Sequence, residues 1–292
     1  MNGITTKAQW LKKLPPTLYK LGAQAWIDYK YPRHLFLEVT ATCNLTCSYC
    51  PRERRKADMD FGLFREIVGE STRYGARSFS LHLFGEPLLY PRLRDAAAFI
   101  KESNHRHTVL LTTNGTMLNG RHVDWITSDG TVDQVLWSWR PEATFTQETK
   151  EKLRKWGKFR VRFIEEVTPP EARAEWADWP NVEGRHLHSY GGNVDLSKWS
   201  DTDEIGPTHP CYHLWFAPAV SWDGKILLCC SDPHKLEPIG QFPEMTVHEA
   251  WTSDRLKMIR ESHLRGQYSG ICKNCTIPQQ YPDMFFKWQK RS

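Results

Sequence analysis

The sequence predicts an α/β protein of about six strand–helix units, followed by a smaller second module. From residue 34 onward, short alternating apolar stretches are separated by amphipathic helical stretches. Strands that alternate with helices in this way form parallel sheets. A cysteine-rich loop directly follows the first predicted strand, and after residue 210 the pattern changes to a hairpin with further cysteines. About six units are too few for a closed eight-stranded barrel.

Composition places the chain among ordinary globular proteins. It has 292 residues, of which 40% are hydrophobic and 25% charged. The net charge of +5 indicates a solvated basic surface rather than a nucleic-acid partner. No apolar run is long enough to cross a bilayer, and no secretory signal precedes the eight cysteines. We therefore expect metal-binding cysteines in a cytoplasmic protein, with no membrane partner.

Residues 1–33 are predicted to form an N-terminal helical extension. Two short helices, Lys7–Leu14 and Leu18–Tyr29, are separated by the pair Pro15-Pro16. This extension is too short to be a separate peptide-binding domain.

Residues 34–190 are predicted to form the main α/β domain. Its strands are Leu35–Val39, Ser78–Phe84, His107–Thr112, Val132–Ser138, Arg160–Val167 and Val182–His188. Helices are expected at 60–75, 91–104, 119–128, 145–156 and 170–179. Chemistry in such folds collects at the C-terminal ends of the strands, and the cysteine loop lies at that end. The polar faces of the strands would point into the interior.

A linker at residues 191–210 should lead to the second module, residues 211–292. Two strands, Trp215–Val220 and Lys225–Cys229, flank the hairpin turn signal Asp223-Gly224. A helix from Asp254 to Arg265 follows, capped by Ser253 and ended by a glycine.

The cysteine loop carries the strongest chemical signal. Cys43, Cys47 and Cys50 are spaced C-x3-C-x2-C. An odd number of thiols cannot pair internally, so the loop suits a metal better than disulfides. Cubane iron–sulfur clusters usually take four cysteines, and three would leave one iron open. The alternative is a zinc knuckle with a distant fourth ligand.

This loop resembles the cluster loop of the radical S-adenosylmethionine (SAM) superfamily, and the resemblance extends over about residues 34–275. It implies a partial (β/α)6 barrel that holds a [4Fe–4S] cluster. It also implies that SAM occupies the open iron through its amino and carboxylate groups. Tyr49, which precedes the third cysteine, would pack by the SAM adenine.

Further SAM contacts follow from the same resemblance. Gly85 and Glu86 match the family's Gly-Gly-Glu turn that receives the SAM amino group, although Phe84 replaces the first glycine. Asn114 lies in a Thr-Asn-Gly sequence that closes the third strand, as it often does in this family.

The SAM carboxylate would be bound at the end of the fourth strand. Ser138 lies where the family often places a serine on that carboxylate. The Asp-Gly that usually follows is missing, and Arg140 is the alternative ligand for the carboxylate.

The second module resembles the SPASM family's auxiliary-cluster domain. Cys211, Gly224 and Cys229 fit its opening spacing, and Cys272-x2-Cys275 supplies two more thiolates. The chain lacks the further cysteines of the full domain, so the match is to the shortened twitch form (a β-hairpin plus a helix). That form implies one auxiliary [4Fe–4S] cluster on Cys211, Cys229, Cys272 and Cys275. Cys230 is an alternative to its neighbour, and structural zinc is the alternative metal.

The resemblance implies a radical reaction. A one-electron donor of the flavodoxin or ferredoxin type would reduce the first cluster, and SAM would be cleaved to methionine and a 5′-deoxyadenosyl radical. That radical would abstract a substrate hydrogen atom, and the auxiliary cluster would accept an electron, which makes the net reaction an oxidation. Compact family members with one twitch cluster oxidise a secondary alcohol in this way.

An oxidation also needs a base for the departing proton. Polar candidates near the strand ends are His82, Glu165 and Tyr190, with Arg162 as a further polar group. Two other functions stay open. One is modification of a ribosomal peptide rather than a small molecule, and the other is a non-catalytic iron–sulfur or zinc protein.

Overall fold

The computed structural model describes residues 31–199 and 206–280. The predicted N-terminal helices and the tail after residue 280 lie outside these residues. The strands are β1 His34–Leu37, β2 Ser78–Ser80, β3 Thr108–Thr113, β4 Gln134–Ser138, β5 Phe159–Ile164, β6 Val182–Arg185, β7 Ala219–Val220, β8 Lys225–Leu227 and β9 Pro238–Gln241. The α-helices are α1 Phe61–Tyr74, α2 Leu93–Ser103, α3 Gly120–Ser128, α4 Gln147–Trp156, α5 Pro170–Glu175, α6 His213–Phe216, α7 Val247–Thr252, α8 Asp254–Leu264 and α9 Ile277–Gln280. Short 3-10 turns lie at Pro87–Leu89, Leu196–Lys198 and Gly270–Cys272.

The first six strands form the predicted parallel sheet. Each strand from β1 to β6 pairs in parallel with the next in chain order. β6 is the edge strand, so the sheet curves as an open barrel and does not close. The C-terminal ends of all six strands therefore meet at one rim, which is where the cysteine loop begins.

Helix α1 shows how the sequence sets the outer layer. Asp60 caps its first turn by accepting a hydrogen bond from the Leu63 amide at 2.9 Å, and Gly75 ends it in the left-handed conformation. Phe64 and Ile67 on this helix are fully buried, as is Leu35 on β1. Burying each such side chain contributes about 1.5–3 kcal/mol. The apolar faces of the strands thus face the helices, and the polar faces are left for the interior.

The second module extends the barrel sheet. β7 pairs in parallel with β1 through Phe36↔Ala219 and Leu37↔Val220, and β8 and β9 continue the sheet antiparallel. The predicted hairpin is confirmed, but the expected strand from Trp215 is wrong over its first half. That stretch forms helix α6, and the strand begins at Ala219. β9 and α7 were not predicted.

A short segment after β6, which we call the clamp segment (residues 189–192), ties the barrel to the second module. The Ser189 hydroxyl donates to the Asn274 carbonyl at 2.6 Å and accepts from the Thr276 amide at 3.2 Å. The Thr276 hydroxyl in turn accepts from the Ser189 amide at 3.0 Å. Gly191 has φ +68°, and a Cβ there would lie 2.9 Å from the Ile271 carbonyl oxygen. Only glycine fits this close approach without strain.

Candidate functional site

The cysteine loop leaves β1 and is held in shape by one arginine. The Arg52 guanidinium donates from Nη2 to the carbonyl of Cys43 at 3.2 Å and to that of Leu45 at 3.0 Å. The Cys50 amide donates to the Cys47 carbonyl at 3.1 Å, which forms a tight turn between the last two cysteines. Burial raises the pKa of the Cys50 thiol, and an N–H from Arg52 opposes that rise. The three thiols therefore face a common, partly buried space.

Asn114, a predicted SAM contact, touches the loop directly. Its side-chain nitrogen lies 3.8 Å from the Cys43 sulfur and donates to the Asn44 side chain at 3.0 Å. Its side-chain oxygen accepts from the Thr116 amide at 2.9 Å, which fixes the orientation of the amide group. The turn after β3 is thereby attached to the turn after β1.

Gly85 and Glu86 attach the β2 turn to the same place. A Cβ at Gly85 would lie 2.0 Å from the Thr40 carbonyl oxygen, so only glycine allows the two backbones to approach this closely. The Glu86 amide donates to the Thr42 carbonyl at 2.8 Å. These contacts place the turn against the start of the cysteine loop.

The Glu86 carboxylate is buried and accepts three hydrogen bonds from the protein. They come from the Thr113 hydroxyl at 2.7 Å, the Asn114 amide at 2.7 Å and the Leu88 amide at 3.1 Å. Burial raises the pKa of this carboxyl to about 7, against the lowering effect of the hydrogen bonds. The carboxylate thus orients the Asn114 turn, a role that the sequence did not indicate.

Tyr49, Ser138 and Arg140 come together at the end of β4. Arg140 donates from Nη1 to the Ser138 hydroxyl at 3.0 Å, and its Cζ lies 5.2 Å from the centroid of the Tyr49 ring. Its Nε is buried and has no hydrogen-bond partner among the residues that the structure describes. A buried N–H without an acceptor is costly, so this group fits a site for an anionic ligand.

His82, a candidate base, lies in a group of polar side chains that we call the polar chamber: His82, Arg162, Arg185, His188 and Tyr190. Arg162 and Arg185 lower the pKa of both imidazoles, and Arg185 also bonds to His188 and Tyr190. The ring of His82 packs edge-on against Phe36 with centroids 5.7 Å apart. Its Nδ1 is buried without a hydrogen-bond partner within the described part of the chain. Burial, with His34 and the two arginines nearby, lowers its pKa to about 3, so the imidazole is neutral at neutral pH.

The other candidate bases are engaged by arginines. The Tyr190 hydroxyl accepts from Arg185 at 3.1 Å, and its ring lies 3.7 Å from that of His188. The Glu165 carboxylate forms an ion pair with Arg173, and Arg173 also donates to the Glu165 carbonyl at 2.6 Å. His82 and Tyr190 therefore belong to one chamber, whereas the Glu165 carboxylate is held in a salt bridge.

Arg162 reaches the same chamber from β5. Its guanidinium donates from Nε to the Glu183 carboxylate on β6 at 2.6 Å. Its charge is one of those that depress the pKa of His82 and of the buried His188. Burial is the main reason that the chamber's imidazoles are neutral, and the charge of Arg162 adds to it.

In the second module, one mostly apolar cavity gathers the four cysteines that the sequence predicts as ligands. Cys211, Cys229, Cys272 and Cys275 all line it. Burial raises the pKa of the Cys211 thiol well above its usual range, and the three other thiols raise it further. Crowded thiols of this kind favour a cationic iron core that would stabilise their ionised form.

Backbone amides also point at these sulfurs. The Ser231 amide lies 3.2 Å from the Cys229 sulfur. The amides of His213 and Ile277 lower the pKa of the Cys211 and Cys275 thiols respectively, and the amide of Gly191 in the clamp segment also lowers that of Cys275. Hydrogen bonds to the sulfurs are among the groups that tune iron–sulfur sites.

Cys230 differs from its neighbour. It does not line the cysteine cavity, and its sulfur lies 3.9 Å from the Nδ1 of His213. The two adjacent thiols interact with each other, but only Cys229 lines the cavity, whereas Cys230 lies against His213.

Over residues 31–199 and 206–280, no group of three or more His, Cys, Asp or Glu side chains is arranged to hold one metal ion.

Two family models match the chain in the regions just described. Residues 37–136 match the radical SAM superfamily, and residues 211–276 match SPASM, an iron–sulfur cluster-binding domain. The chain contains a radical SAM domain followed by a SPASM domain. It is therefore an enzyme that uses SAM and a [4Fe–4S] cluster, and its SPASM domain brings a further iron–sulfur site.

Comparisons with individual relatives agree with this assignment. The S-adenosyl-L-methionine-dependent 2-deoxy-scyllo-inosamine dehydrogenase of Niallia circulans is 25% identical over 248 residues, which is 82% of this chain and 90% of the relative. The crystal structure of BtrN in complex with AdoMet and 2-DOIA has a TM-score of 0.61 at 21% identity, covering 83% of this chain and 92% of BtrN. The structure of Streptococcus suis SuiB bound to precursor peptide SuiA has a TM-score of 0.64 at 14% identity, covering 90% of this chain and 74% of SuiB. The two structures share the fold.

Several residues of the radical SAM enzyme's interior were missed by sequence reasoning. Arg185 and His188 line the chamber, and His213 lies behind it next to Cys230. The polar face of β6 was a usable signal for Arg185. Nothing in the sequence indicated His213, because α6 was expected to be loop and strand.

In the part of the chain that the structure describes, no helix is both long and apolar enough to cross a membrane.

Proposed function

We propose that this radical SAM enzyme oxidises a secondary alcohol of a small molecule held in the polar chamber. The observation that carries the proposal is the contact between chamber and cysteine cavity. Tyr190 belongs to the chamber, and the next residue, Gly191, lines the cavity that gathers the four cysteines. An electron left on a substrate in the chamber would thus lie next to a redox site.

The cofactors supply the radical chemistry when they are bound: a 5′-deoxyadenosyl radical to abstract hydrogen, and an auxiliary cluster to accept an electron. The alcohol then loses a hydrogen atom from carbon, a proton from oxygen and one electron, and a carbonyl group remains. The protein must therefore hold SAM, orient the alcohol and take the proton.

SAM would be held by the turns that follow four strands. Gly85 brings the backbone carbonyls near Thr40 to the rim, where they suit the amino group. Arg140 offers its free Nε to the carboxylate, and Ser138 fixes the Arg140 head. Tyr49 would pack by the adenine. Glu86 acts through Asn114, which it orients at the cysteine loop.

His82 would accept the alcohol proton. Its Nδ1 is buried and has no hydrogen-bond partner in the described residues. The other two candidate bases, Tyr190 and Glu165, are bonded to arginines. Its neutral ring can accept a hydrogen bond from the substrate hydroxyl at Nδ1. A pKa of about 3 makes this ring a weaker general base than one with a pKa near the operating pH, so it can hold the proton only transiently.

The auxiliary cluster would be held by Cys211, Cys229, Cys272 and Cys275, and Cys230 would not be a ligand. Similarity to the Niallia circulans dehydrogenase over most of both chains supports an oxidation. Peptide modification has less support, since the likeness to peptide-bound SuiB is one of fold at 14% identity.

Anaerobic reconstitution tests the proposal. The wild-type protein should bind about eight irons and form 5′-deoxyadenosine from SAM under dithionite, since two cubanes hold eight irons. The Cys43/Cys47/Cys50→Ala variant should retain about four irons and form none. The Cys229→Ala variant should lose about four irons, and the matched Cys230→Ala variant should lose none. If the second module held zinc, it could not accept an electron from the substrate, and the argument for an oxidation would fail. If the protein did not bind SAM, the proposed reaction would be refuted.

A further inference from the structure

An exposed basic run directly follows the three cluster cysteines. It comprises residues 52–56, with the sequence Arg-Glu-Arg-Arg-Lys. Arg54, Arg55 and Lys56 are exposed, and the Arg55 side chain is 58% accessible. The proposed function does not use these side chains, so they need a separate explanation.

Opposite charges neutralise little of this run. Glu53 lies 3.8 Å from Arg55 and also 3.8 Å from His234, which divides its charge between two partners. Neither Arg54 nor Lys56 forms an ion pair with any residue in the described ranges. The nearest following carboxylate along the chain is exposed Asp58. Four cations therefore face two carboxylates over residues 52–58, and the run presents a positive surface.

The run is fixed to the cluster loop. Arg52 donates to the carbonyls of Cys43 and Leu45, so its backbone cannot move independently of the cysteines. On the loop itself, Asn44, Thr46 and Ser48 are exposed, whereas the cysteines between them are half-buried. The outer face of the loop is therefore solvent-facing protein surface close to the cysteines.

Electron transfer between proteins weakens steeply with distance, so a reductant must dock near the cluster that it reduces. We infer that the outer face of the cysteine loop and the basic run form the docking surface for a one-electron carrier protein whose cofactor is ringed by acidic side chains. This inference rests on the proposed function. Complementary charge raises association rates by 10–1,000-fold, and small interfaces below about 1,200 Å² are typical of redox encounters.

The step itself is simple. One electron leaves the reduced flavin or iron–sulfur centre of the carrier and enters the cluster at the cysteine loop. The carrier is oxidised by one electron, and no bond or proton is exchanged between the two proteins.

The test compares two charge reversals of equal size in the reconstituted full chain. The first is Arg54→Glu with Lys56→Glu, and the control is Arg121→Glu with Lys155→Glu on the exposed faces of α3 and α4. Cluster reduction is followed by absorbance, with an acidic flavodoxin hydroquinone and an acidic reduced ferredoxin as probes. We expect at least about a tenfold slower rate at low salt for the first variant and a flattened salt dependence. The Kd of oxidised flavodoxin, where no electron moves, should rise in parallel.

Reduced methyl viologen, a small radical cation, separates the possible outcomes. With it, both variants should form 5′-deoxyadenosine as the wild type does, which shows that the radical function is intact. If cluster reduction by the carriers slowed equally in both variants, net charge alone would explain the effect, and the inference would be overturned. An unchanged rate in the first variant would place the carrier elsewhere. If the wild type itself formed no 5′-deoxyadenosine with methyl viologen, the proposed function would be refuted instead.

Discussion

At the scale of single residues, Gly85 holds two backbones together at the rim. Replacement by alanine would place a Cβ 2.0 Å from the Thr40 carbonyl oxygen, and backbone atoms cannot yield cheaply. We expect Gly85→Ala to destabilise the fold by about 3 kcal/mol, the upper range for overpacking, and to weaken SAM binding. Thermal unfolding and equilibrium dialysis with SAM measure the two effects.

Gly69→Ala is the matched control for that substitution. Gly69 lies inside helix α1, and a Cβ there would have no atom within 4 Å. Alanine should stabilise the helix by about 0.5–1 kcal/mol. Equal destabilisation by the two substitutions would contradict the close approach at Gly85.

Glu86 should make stability depend on pH. Its pKa in the folded protein is raised from 4.5 to about 7, so between these values the folded chain holds a proton that the unfolded chain has released. Stability should therefore fall as pH rises through this window, by on the order of 3 kcal/mol. Denaturant titrations at pH 4.5, 6 and 7.5 measure the slope. The Glu86→Gln variant cannot titrate and should flatten it, whereas an unchanged slope would exclude Glu86 as the cause.

Arg140 should determine affinity for SAM. Arg140→Gln removes a charged donor from the proposed carboxylate site, and hydrogen bonds to charged groups contribute about 1.5–3 kcal/mol. The Kd for SAM should rise at least about tenfold by equilibrium dialysis. Ser138→Ala only frees the Arg140 head and should have a smaller effect. A larger effect from Ser138→Ala would assign the carboxylate to the serine.

Sequence motifs predicted which residues meet at the rim but not how each side chain is used. Gly85, Asn114 and Cys43 lie together because each follows a parallel strand, and strand order was readable from the pattern. The use of the Glu86 carboxylate was not readable, because two of its three donors, Thr113 and Asn114, belong to a turn 27 and 28 residues away.

At the scale of elements, the clamp segment should couple the barrel to the auxiliary site. Ser189→Ala removes the hydroxyl that accepts from the Thr276 amide and donates to the Asn274 carbonyl. Buried polar groups left without partners cost about 1–3 kcal/mol each. We expect a loss of about 2 kcal/mol in stability and faster loss of iron from the auxiliary site. Chemical denaturation and timed iron release measure these effects.

Ser197→Ala is the comparison for the clamp variant. Ser197 is exposed, and its hydroxyl bonds to Asp195 at 2.6 Å within the same turn. Its removal should change stability by less than about 0.5 kcal/mol. If both variants released iron at the same rate, the clamp segment would have no part in holding the auxiliary site.

Local patterns predicted most elements, and long-range pairing explains the errors. Helix α1 follows from its cap and apolar spacing, and the β7–β8 hairpin from Asp223-Gly224. Parallel pairing of β7 with β1 joins strands about 180 residues apart, and no local signal encodes such a partner. The hairpin could therefore be predicted, but its place in the barrel sheet could not.

At the scale of the whole molecule, one nine-stranded sheet spans both cluster sites. Removal of iron should therefore affect more than the loops that bind it, because the crowded thiols of the second module lose their compensating charge. We expect chelation to lower the melting temperature by several degrees and to increase proteolysis between residues 189 and 275. Mapping of the cleavage sites by mass spectrometry is the check, and cleavage confined to residues 43–58 would contradict it.

The clamp segment also bears on how the protein matures in a cell. Its Gly191 lines the cysteine cavity, and its Ser189 is bonded to Asn274 and Thr276, the residues on both sides of Cys275 in the last cysteine pair. The end of the barrel can reach its final form only when that pair is in place. Iron–sulfur delivery is then a step in folding, and a shortage of clusters would lower the amount of enzyme as well as its turnover.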